Sequence, residues 1–486
     1  MKKFVAVLLC ALMLLSAMIP AAVAEDMVTV NLYIPTLATY TEDAIQEVQA
    51  ALNEHLAENY GIQVKLTYIE IGNFEQAINL AMTTPELDVT CYFTGDGQLA
   101  NYVRNGQLLD ITDRYEAAEG DIKSVFTDAE VLASSMNGRM YGFVRKYQYG
   151  GYDTIVMNKD IVEEMGIDAE SIDSLEKLGE VLYQVHEAHP EIYALVPQSA
   201  ADMTWTFPWF SSVGLTTYAF VNDAESTQLQ SLFELDSFRE WCDTMNKWYN
   251  DGLIMADAIS NTREGTDMVS TGAAFAVLHN GDIDPLTIFY PNSVLGGIIV
   301  PAKANCADIG NLQYGISSNS AHPDEAFTLL CAMYTDAYLH TLLSFGIEGE
   351  HWAYDENGKA VYPEGMTAEN EPYGGFTASA TYPNYLLNPV RATATVDDYA
   401  ATVTEWDAQV IVPKAFGFYF DTSEYGDFVT AYKNIDEKYK KALWTGTIAL
   451  DDVLPSIQSE LTAIGFYDVL AETQAALDAW LAEQAA

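Results

Sequence analysis

Strand and helix patterns alternate in the N-terminal part of this sequence, and that alternation limits the possible folds more than any other feature. A strand pattern begins at Val28, a helix pattern that Thr41 can cap follows it, and further strands are predicted at Val64–Ile69 and Asp88–Phe93 with a helix between them. Strands that alternate with helices imply right-handed crossovers and a parallel sheet that is covered on both faces. We therefore predict an α/β fold, in which ligands bind at the carboxyl ends of the strands.

A second unit is predicted after a connection rich in Tyr and Gly, Arg145–Tyr152. Helix patterns dominate Ile161–Ala188 and Leu232–Tyr249, and strands are predicted in Gly272–Gly281 and at Leu295–Val300. With 486 residues, the chain is long enough for two or three domains of about 150 residues each.

The C-terminal part of the chain is predicted to be mainly helical. Pro323 suits the first turn of a helix, and Asp355–Gly358 predicts a hairpin turn. From Phe428 onward the pattern is helical, and Gly446 can end the first of these helices.

The composition indicates a folded and strongly anionic protein. Lys and Arg number 22 against 70 Asp and Glu, which gives a net charge of −48, while 49% of the residues are apolar and 12% are aromatic. Acidic chains stay disordered when they lack apolar residues, and this chain does not lack them. Its field repels nucleic-acid phosphates and anionic lipid headgroups, so we expect no nucleic-acid partner and a ligand that is neutral or cationic.

The N-terminus predicts export from the cytoplasm. Lys2 and Lys3 precede an apolar run from Phe4 to Met18, Pro20 breaks that run, and Ala22–Ala24 supplies small residues for cleavage. This pattern predicts a signal peptide at residues 1–24 and an extracytoplasmic mature chain, in the periplasm or at the outer cell surface. A membrane anchor is the alternative, but it would need a longer unbroken apolar run.

The cysteines suggest neither a metal site nor a redox motif. Cys10 lies inside the apolar run without a small residue before it, so we do not expect it to be lipidated. The spacing of the other cysteines matches no C-x-x-C pattern, and any disulfide among them stays open: Cys91, Cys242, Cys306 and Cys331.

Other motifs for catalysis or cofactor binding are incomplete. Gly95–Ala100 matches G-x-G-x-x-A, but it follows the third strand rather than the first, so a ligand-facing glycine loop is the preferred interpretation. His186–His189 has the wrong spacing for H-E-x-x-H, and no G-x-S-x-G is present. We therefore expect no catalytic residues, no cofactor and no metal, although bound metal ions stay an open question. His279 differs from the other histidines because it ends a predicted strand beside Asp282.

Aromatic residues alternate with hydrogen-bonding groups near the predicted strand ends, at Tyr92, Phe93, Asp96, Arg145, Tyr147, Tyr149, Trp205, Phe207 and Trp209. Sugar rings present apolar faces that stack on aromatic rings and hydroxyl groups that need donors and acceptors, so this combination suits a carbohydrate cleft. The alternative is that large aromatic residues such as Phe207 and Trp209 belong to the hydrophobic core.

Five segments resemble, in the same order, the family 1 extracellular solute-binding proteins, the group that contains the maltose-binding protein. These segments are Glu86–Asp110, Ile155–Asp160, Thr204–Trp209, Gly272–Gly281 and Tyr314–Ala326. A closer subgroup is suggested by Phe345–Trp352, which resembles the G-I-E-G-x-H-[YW] segment of lipoprotein-type members with a long C-terminal extension. This chain departs from that subgroup because it lacks a lipobox. It departs from the maltose-binding group because Asp282, not Trp, follows Gly281, so maltose specificity is not implied.

The resemblance implies a two-domain periplasmic-binding-protein-like α/β fold with an interdomain ligand cleft and a helical C-terminal extension. We predict a first lobe at residues 25–146 plus 273–313 and a second lobe at residues 147–272 plus 314–486. The resemblance also implies that the protein is a monomer and not an enzyme. It would capture a sugar or oligosaccharide and deliver it to the permease subunits of an ABC importer. The predicted ligand contacts are Tyr92, Phe93, Asp96, Arg145, Tyr149, Trp205, Trp209, His279, Asp282, Glu348 and Trp352.

Three alternatives stay open at this point. The chain could be a secreted glycoside hydrolase that uses two of its many carboxylates, a binding protein for a peptide or polyamine, or an adhesin or sensor partner with the same binding fold. The identity, linkage and length of the ligand do not follow from the sequence.

Overall fold

The computed structural model describes residues 27–94, 98–147, 152–198, 211–214, 216–281, 292–297, 299, 309, 311–376, 381–394, 397–408 and 410–484. The predicted signal peptide lies outside these residues. Within the described part of the chain, no helix combines the length and the apolar character required to cross a membrane.

The described secondary structure is mixed α/β. In chain order, the strands are β1 Thr29–Thr36, β2 Gln63–Glu70, β3 Val89–Phe93, β4 Ser135–Met136, β5 Arg139–Met140, β6 Phe143–Val144, β7 Tyr152–Asn158, β8 Tyr193–Val196, β9 Ser211–Ser212, β10 Phe220–Val221, β11 Ala274–Gly281, β12 Ser293–Leu295, β13 Leu312–Ile316, β14 Ala353–Tyr354 and β15 Ala360–Val361. The α-helices are α1 Glu42–Tyr60, α2 Ile71–Ala81, α3 Gln98–Arg104, α4 Thr112–Ala117, α5 Ile122–Val125, α6 Asp128–Ala133, α7 Lys159–Met165, α8 Leu175–Ala188, α9 Asp236–Asn250, α10 Gly265–Ser270, α11 Pro323–Thr335, α12 Ala337–Phe345, α13 Tyr399–Asp407, α14 Gly426–Trp444, α15 Leu450–Ala463 and α16 Phe466–Gln484. Short 3-10 helices lie at Ala169–Ser171, Leu232–Glu234, Tyr385–Leu387 and Ser423–Tyr425.

Five strands form the first sheet, in the order β2–β1–β3–β13–β6. β1 lies parallel to β2 and to β3, whereas β13 lies antiparallel to both β3 and β6. This sheet shares one hydrophobic core with α1–α6, α11 and α12, and we call this unit the first lobe. The parallel arrangement predicted from strand–helix alternation is confirmed for β1, β2 and β3.

The helix α1 forms as its sequence predicts. Thr41 Oγ1 accepts a hydrogen bond from the backbone N–H of Ala44 at 3.3 Å, which satisfies one of the free donors at the helix start. Gly61 ends the helix in a left-handed conformation with φ of 69°. The buried face of the helix consists of Ala44, Val48, Leu52 and Leu56.

Four strands form the second sheet, in the order β12–β7–β11–β8. β11 lies antiparallel to β7 and parallel to β8, and β12 lies antiparallel to β7. This sheet shares a second core with α7–α10 and with the C-terminal helices α14–α16, and we call this unit the second lobe.

The C-terminal helices complete the second core. The indole rings of Trp444, at the end of α14, and Trp241 of α9 pack edge-to-face with centroids 5.5 Å apart. Gly446 follows with φ of 71°, as expected for a helix stop. The helix predicted from Phe428 is confirmed as α14, and its buried residues include Phe428, Tyr432, Ile435 and Tyr439.

The predicted lobe boundaries are wrong in two places. Residues 273–313 were expected in the first lobe, but β11 and β12 are strands of the second sheet. Residues 314–486 were expected in the second lobe, but α11, α12, Tyr373 and Phe416 belong to the first core. Periodicity identifies a strand or helix but not its packing partner, because contacts between segments far apart in sequence decide which lobe it joins.

Among the described residues, the chain passes between the lobes three times. The first crossing joins β6 to β7, and the second joins β12 to β13. At the third, within residues 410–418, Phe416 packs into the first core while Ala415 and Phe418 pack into the second, and Gly417 lies between the two phenylalanines. Gly417 has φ of +85°, and a Cβ atom there would lie 2.4 Å from Leu132 Cγ of α6. Only glycine fits this position without backbone strain or movement of Leu132.

Candidate functional site

The crossings identify the edge of each sheet that faces the other lobe. β13 is antiparallel to both β3 and β6, so the carboxyl ends of β1, β2, β3 and β6 all lie at one edge of the first sheet. The chain leaves this edge for the amino end of β7, which lies at the same edge of the second sheet as the carboxyl ends of β8, β11 and β12. The candidate site therefore lies between the carboxyl ends of strands from both lobes, as expected for such sheets.

Three of the predicted ligand residues are described at these edges. Phe93 is the last residue of β3, and Arg145 directly follows β6. His279 lies near the carboxyl end of β11, opposite Thr154 of β7. All three predicted residues are half-buried, which leaves part of each side chain accessible. The fold thus places residues from distant parts of the chain at the two facing edges.

Arg145 lies in a cluster of tyrosines at the start of the first crossing. Its Cζ lies 4.5 Å from the centroid of the Tyr147 ring, which meets Tyr385 edge-on at 5.2 Å. Tyr385 in turn meets Tyr399 at 4.8 Å, and we call these four residues the crossing cluster. Burial lowers the pKa of Arg145, while the surrounding phenol groups act in the opposite direction. An arginine keeps its charge under such shifts, so the cluster offers N–H donors beside aromatic surface.

A buried ion pair fixes the chain immediately after Arg145. Lys146 Nζ donates to Glu130 Oε1 at 2.6 Å, and both side chains are almost fully enclosed. Glu130 Oε2 also accepts from the N–H of Thr127 at 2.6 Å and completes the capping box of α6. The backbone of Lys146 bonds to Pro383 and Tyr385 at 2.7 and 2.9 Å. The sequence carried no signal for this pair, because any cation in so acidic a chain has many possible partners.

Tyr92 is a core residue in this structure. Its side chain is fully buried, and its hydroxyl donates to Gln313 Oε1 at 2.8 Å. The amide of Gln313 donates onward to the Ala133 carbonyl at 2.8 Å, so the phenol belongs to a satisfied network inside the first lobe. The prediction of a ligand contact at Tyr92 is therefore corrected. Val89–Tyr92 are all buried, as expected for a strand of a sheet that is covered on both faces, and the residue type of Tyr92 alone suggested a ligand contact.

The Phe345–Trp352 segment forms a compact turn. Gly346 and Gly349 have φ of 84° and 85°, and Trp352 Nε1 donates to the Gly346 carbonyl at 3.1 Å. The Trp352 ring is 3% exposed and packs edge-on against Phe345 at 5.8 Å. Trp352 therefore stabilises the turn and offers no free face to a ligand, which corrects its predicted role. Glu348 is exposed in the same turn, and its role as a ligand contact stays a prediction.

The remaining predicted ligand residues lie outside the described part of the chain, and their role stays a prediction: Asp96, Tyr149, Trp205, Trp209 and Asp282.

Cys91, Cys242 and Cys331 are free thiols, and Cys306 lies outside the described residues. Burial raises the pKa of both Cys242 and Cys331 to about 12, so neither is a thiolate at neutral pH. Within the described ranges, no group of three or more His, Cys, Asp or Glu side chains could hold a metal ion.

Sequence reasoning also missed four tyrosines that meet at the carboxyl ends of β1 and β2. Tyr40 and Tyr68 stack on each other with centroids 4.5 Å apart, and their hydroxyls bond to Tyr382 and Tyr373. No local pattern connects residues that are more than 300 positions apart in the chain.

Two family models match this chain. The model described as bacterial extracellular solute-binding protein matches residues 38–339, which is more than half of the chain. A second model, described as a domain of unknown function (DUF3502), matches residues 414–482. The second match begins at the third crossing and covers most of the C-terminal helices that complete the second core.

Relatives with known descriptions match almost the whole chain. A carbohydrate ABC transporter substrate-binding protein of Streptococcus pneumoniae is 22% identical over 455 residues, which cover 90% of this chain and 89% of that protein. The crystal structure of the N-glycan transport solute binding protein of the same species has a TM-score of 0.79 at 20% identity, and the match covers 94% of this chain and 100% of that one. For that protein in complex with Man1GlcNAc, the TM-score is 0.68 at 18% identity, with 93% and 99% of the two chains covered. This likeness establishes the fold.

Proposed function

We propose that this chain, which belongs to the family of bacterial extracellular solute-binding proteins, captures an oligosaccharide between its two lobes and delivers it to an ABC importer. The single observation that carries the proposal is the topology. The carboxyl ends of strands from both sheets face each other across three chain crossings, and a ligand held there contacts both lobes. Closure around that ligand is a hinge motion of the kind that such two-lobed proteins perform.

The ligand class follows from the chemistry at the facing edges and from the relatives. The crossing cluster combines aromatic rings with a guanidinium, which suits the apolar faces and the hydroxyl groups of a sugar. The sequence relative is a carbohydrate-binding component, and the structural relative has been solved with a mannosyl glycan. A net charge of −48 favours a neutral glycan over a uronate. The ligand is bound and passed on without any bond being broken.

The proposed contacts are the predicted residues other than Tyr92 and Trp352, together with Tyr147 of the crossing cluster. They are Phe93, Asp96, Arg145, Tyr147, Tyr149, Trp205, Trp209, His279, Asp282 and Glu348. We also propose that the mature chain begins after Ala24, acts outside the cytoplasmic membrane as a monomer, and docks on two permease subunits.

The test is thermal unfolding of residues 25–486 with a panel of ligands, followed by calorimetry on every ligand that shifts the midpoint. The panel contains Man1GlcNAc, Man5GlcNAc, other neutral oligosaccharides, uronates, peptides and polyamines. A ligand that binds only the folded chain at a hundredfold excess over its dissociation constant stabilises it by about 2.7 kcal/mol. We expect a shift with a neutral oligosaccharide, one ligand per chain, and recovery of the glycan unchanged.

Other results would change the assignment. Stabilisation by a peptide or polyamine alone would keep the transport role and replace the ligand class. Release of shortened glycan would instead support a glycoside hydrolase, and loss of that release on changing one carboxylate would establish it.

A further inference from the structure

Four tyrosines, which we call the tyrosine cluster, join the carboxyl ends of β1 and β2 to a distant segment of the chain. Tyr40 and Tyr68 stack in parallel, and the Tyr40 and Tyr382 hydroxyls lie 3.0 Å apart. The Tyr68 and Tyr373 hydroxyls lie 2.5 Å apart, and Tyr373 donates to the Leu343 carbonyl at 2.7 Å. Because Tyr373 donates its own proton to Leu343, it accepts the hydrogen bond from Tyr68.

The same segment is hydrogen-bonded to the β1–α1 loop, residues 36–41. The N–H of Thr41 donates to the Pro372 carbonyl at 2.8 Å, and the N–H of Gly374 donates to the Thr39 carbonyl at 3.1 Å. A Cβ atom at Gly374 would lie 2.8 Å from that Thr39 oxygen. The backbones therefore meet at a distance that only glycine permits, and the loop is held by its main chain as well as by Tyr40.

The Phe345–Trp352 turn packs against Tyr373 of the tyrosine cluster. His351 Nδ1 accepts from the N–H of Ile347 at 3.0 Å, and the His351 ring lies 5.4 Å from the Tyr373 ring. A Cβ atom at Gly346 would lie 2.6 Å from His351 Nδ1, so glycine is required for this close contact. The turn therefore sets the position of the His351 ring against Tyr373.

The loop carries exposed side chains at the cleft-side edge of the first sheet. It follows the carboxyl end of β1, which lies at the edge that faces the second lobe. Leu37 is 55% exposed, and Thr39 is exposed as well. The loop thus presents an apolar and a hydroxyl side chain on a backbone that is fixed from behind. Burial raises the pKa of Tyr68 to about 12, so its hydroxyl stays a neutral donor at any physiological pH.

We propose that the tyrosine cluster and the Phe345–Trp352 turn are positioning elements that hold the β1–α1 loop as a rigid wall of the glycan cleft. The inference rests on the proposed function, and it assigns a positioning role to the tyrosine cluster and to the buried residues of the turn, none of which is among the proposed ligand contacts. A wall that is ordered before the ligand arrives loses less conformational entropy on binding, so the cluster contributes to affinity without touching the ligand.

Two variants and one control test the proposal, in the full mature chain. Tyr373→Phe removes the hydroxyl that bonds to Tyr68 and Leu343, and Tyr40→Phe removes the hydroxyl that bonds to Tyr382 and Thr36. The control is Tyr432→Phe in the second core, where the buried hydroxyl has no hydrogen-bond partner among the described residues. Amide hydrogen exchange of residues 36–41 is measured without ligand, and the dissociation constant for Man5GlcNAc, or for the glycan that the panel selects, is measured by calorimetry.

We expect exchange of the loop amides to rise by about fivefold or more in Tyr373→Phe and Tyr40→Phe, with other segments unchanged, because loss of the hydroxyl contacts permits local opening. The dissociation constant should also rise, with the stoichiometry unchanged, in proportion to the loss of chains whose loop is ordered before the ligand binds. Tyr432→Phe should alter neither quantity. Tyr40→Phe lies at the rim of the cluster and keeps the test valid if Tyr373→Phe fails to fold.

The outcomes separate the two proposals. If the wild type binds a glycan and both variants match it in exchange and in affinity, the positioning role is overturned while the binding function stands. A rise in exchange that spreads evenly over the first lobe would also overturn it, because it would indicate general destabilisation. If the wild type binds no glycan at all, the proposed function fails, and the glycan-wall role fails with it.

Discussion

Phe416 and Phe418 lie two positions apart in the chain and belong to the hydrophobic cores of different lobes. Ala415, on the other side of Phe416, also packs into the second core, so at this crossing a change in the angle between the lobes must be absorbed in the short stretch around Phe416 that includes Gly417. Two features, a positive φ and a Cβ position that would meet Leu132, restrict this site to glycine.

Gly417→Ala is expected to impair closure as well as stability. The left-handed backbone costs a residue other than glycine about 1–3 kcal/mol, and the contact with Leu132 adds to this. Gly465→Ala is the matched control, because Gly465 also has a positive φ but has open space around its Cβ position. Both variants should lose free energy of unfolding, but only Gly417→Ala should reduce the glycan-induced decrease in radius of gyration measured by solution scattering. Equal closure in the two variants would contradict a hinge at Gly417.

Arg145→Gln is expected to weaken glycan binding by about tenfold, which corresponds to about 1.4 kcal/mol. The guanidinium supplies donors at the facing edge of the first sheet, and the amide of glutamine cannot replace its charge or its planar contact with Tyr147. Arg114→Gln, which breaks an exposed ion pair with Asp324 on α11, serves as the control and should bind as the wild type does. Calorimetry at fixed ionic strength measures both. Unchanged affinity in Arg145→Gln would remove this residue from the site.

Lys146→Met should be strongly destabilising. It leaves Glu130 as a buried carboxylate without its cation, for which a cost of about 3–5 kcal/mol is typical. The double variant with Glu130→Gln should recover part of this loss, because the remaining amide is neutral. Lys177→Met, in an exposed pair with Asp173, should change stability by less than about 1 kcal/mol. Denaturant unfolding of the four proteins measures these values, and similar losses in Lys146→Met and Lys177→Met would contradict the account of a buried pair.

We predict that His340 contributes to the pH dependence of the free energy of unfolding. Burial lowers its pKa to about 4, whereas a histidine in the unfolded chain titrates near 6.5. Between pH 4 and pH 6.5 the unfolded state binds more protons than the folded state, so the free energy of unfolding rises with pH over this range. The contribution of His340, about 3 kcal/mol, is therefore complete above about pH 6.5 and is lost as the pH falls towards 4. His340→Gln should remove this component, so its unfolding midpoint should fall less steeply over that range. His322→Gln is the control for loss of a histidine, and parallel curves for all three proteins would refute the prediction.

Trp444→Ala should destabilise the second lobe by about 3–5 kcal/mol, the usual cost of removing a large buried aromatic side chain. Trp444 is 2% exposed and packs on both Phe238 and Trp241. Trp480→Ala in α16, where the ring is only partly buried, should cost clearly less. Calorimetric unfolding scans compare the two variants. An equal and small effect would indicate that the C-terminal helices do not contribute to the second core.

The sequence was sufficient to predict the secondary-structure elements and the family, but it was less informative about how these elements pack together. The alternation of β1, α1 and β2 is a local pattern, so the parallel sheet could be predicted from it. The placement of β11 in the second sheet depends on hydrogen bonds to β7 and β8, which no local pattern encodes.

The same distinction applies to the candidate site. The positions of Arg145 and His279 at strand ends could be predicted from the sequence. Tyr92 and Trp352 were expected to face the ligand because their residue types suit a sugar, but burial depends on what packs against them from elsewhere in the chain. The tyrosine cluster could not be foreseen for a related reason: Tyr40 and Tyr382 are 342 positions apart, and only the folded chain brings them together.

The distribution of the two cores along the chain also imposes an order on their assembly. The first core has all of its residues once Phe416 has been synthesised, whereas the second core still lacks residues as far along as Leu477. A chain that emerges from its N-terminus can therefore complete one lobe while the other waits for the last helices. Capture of a ligand is thereby tied to full-length synthesis, because a shortened polypeptide can present one half of the cleft but has no partner to close on it.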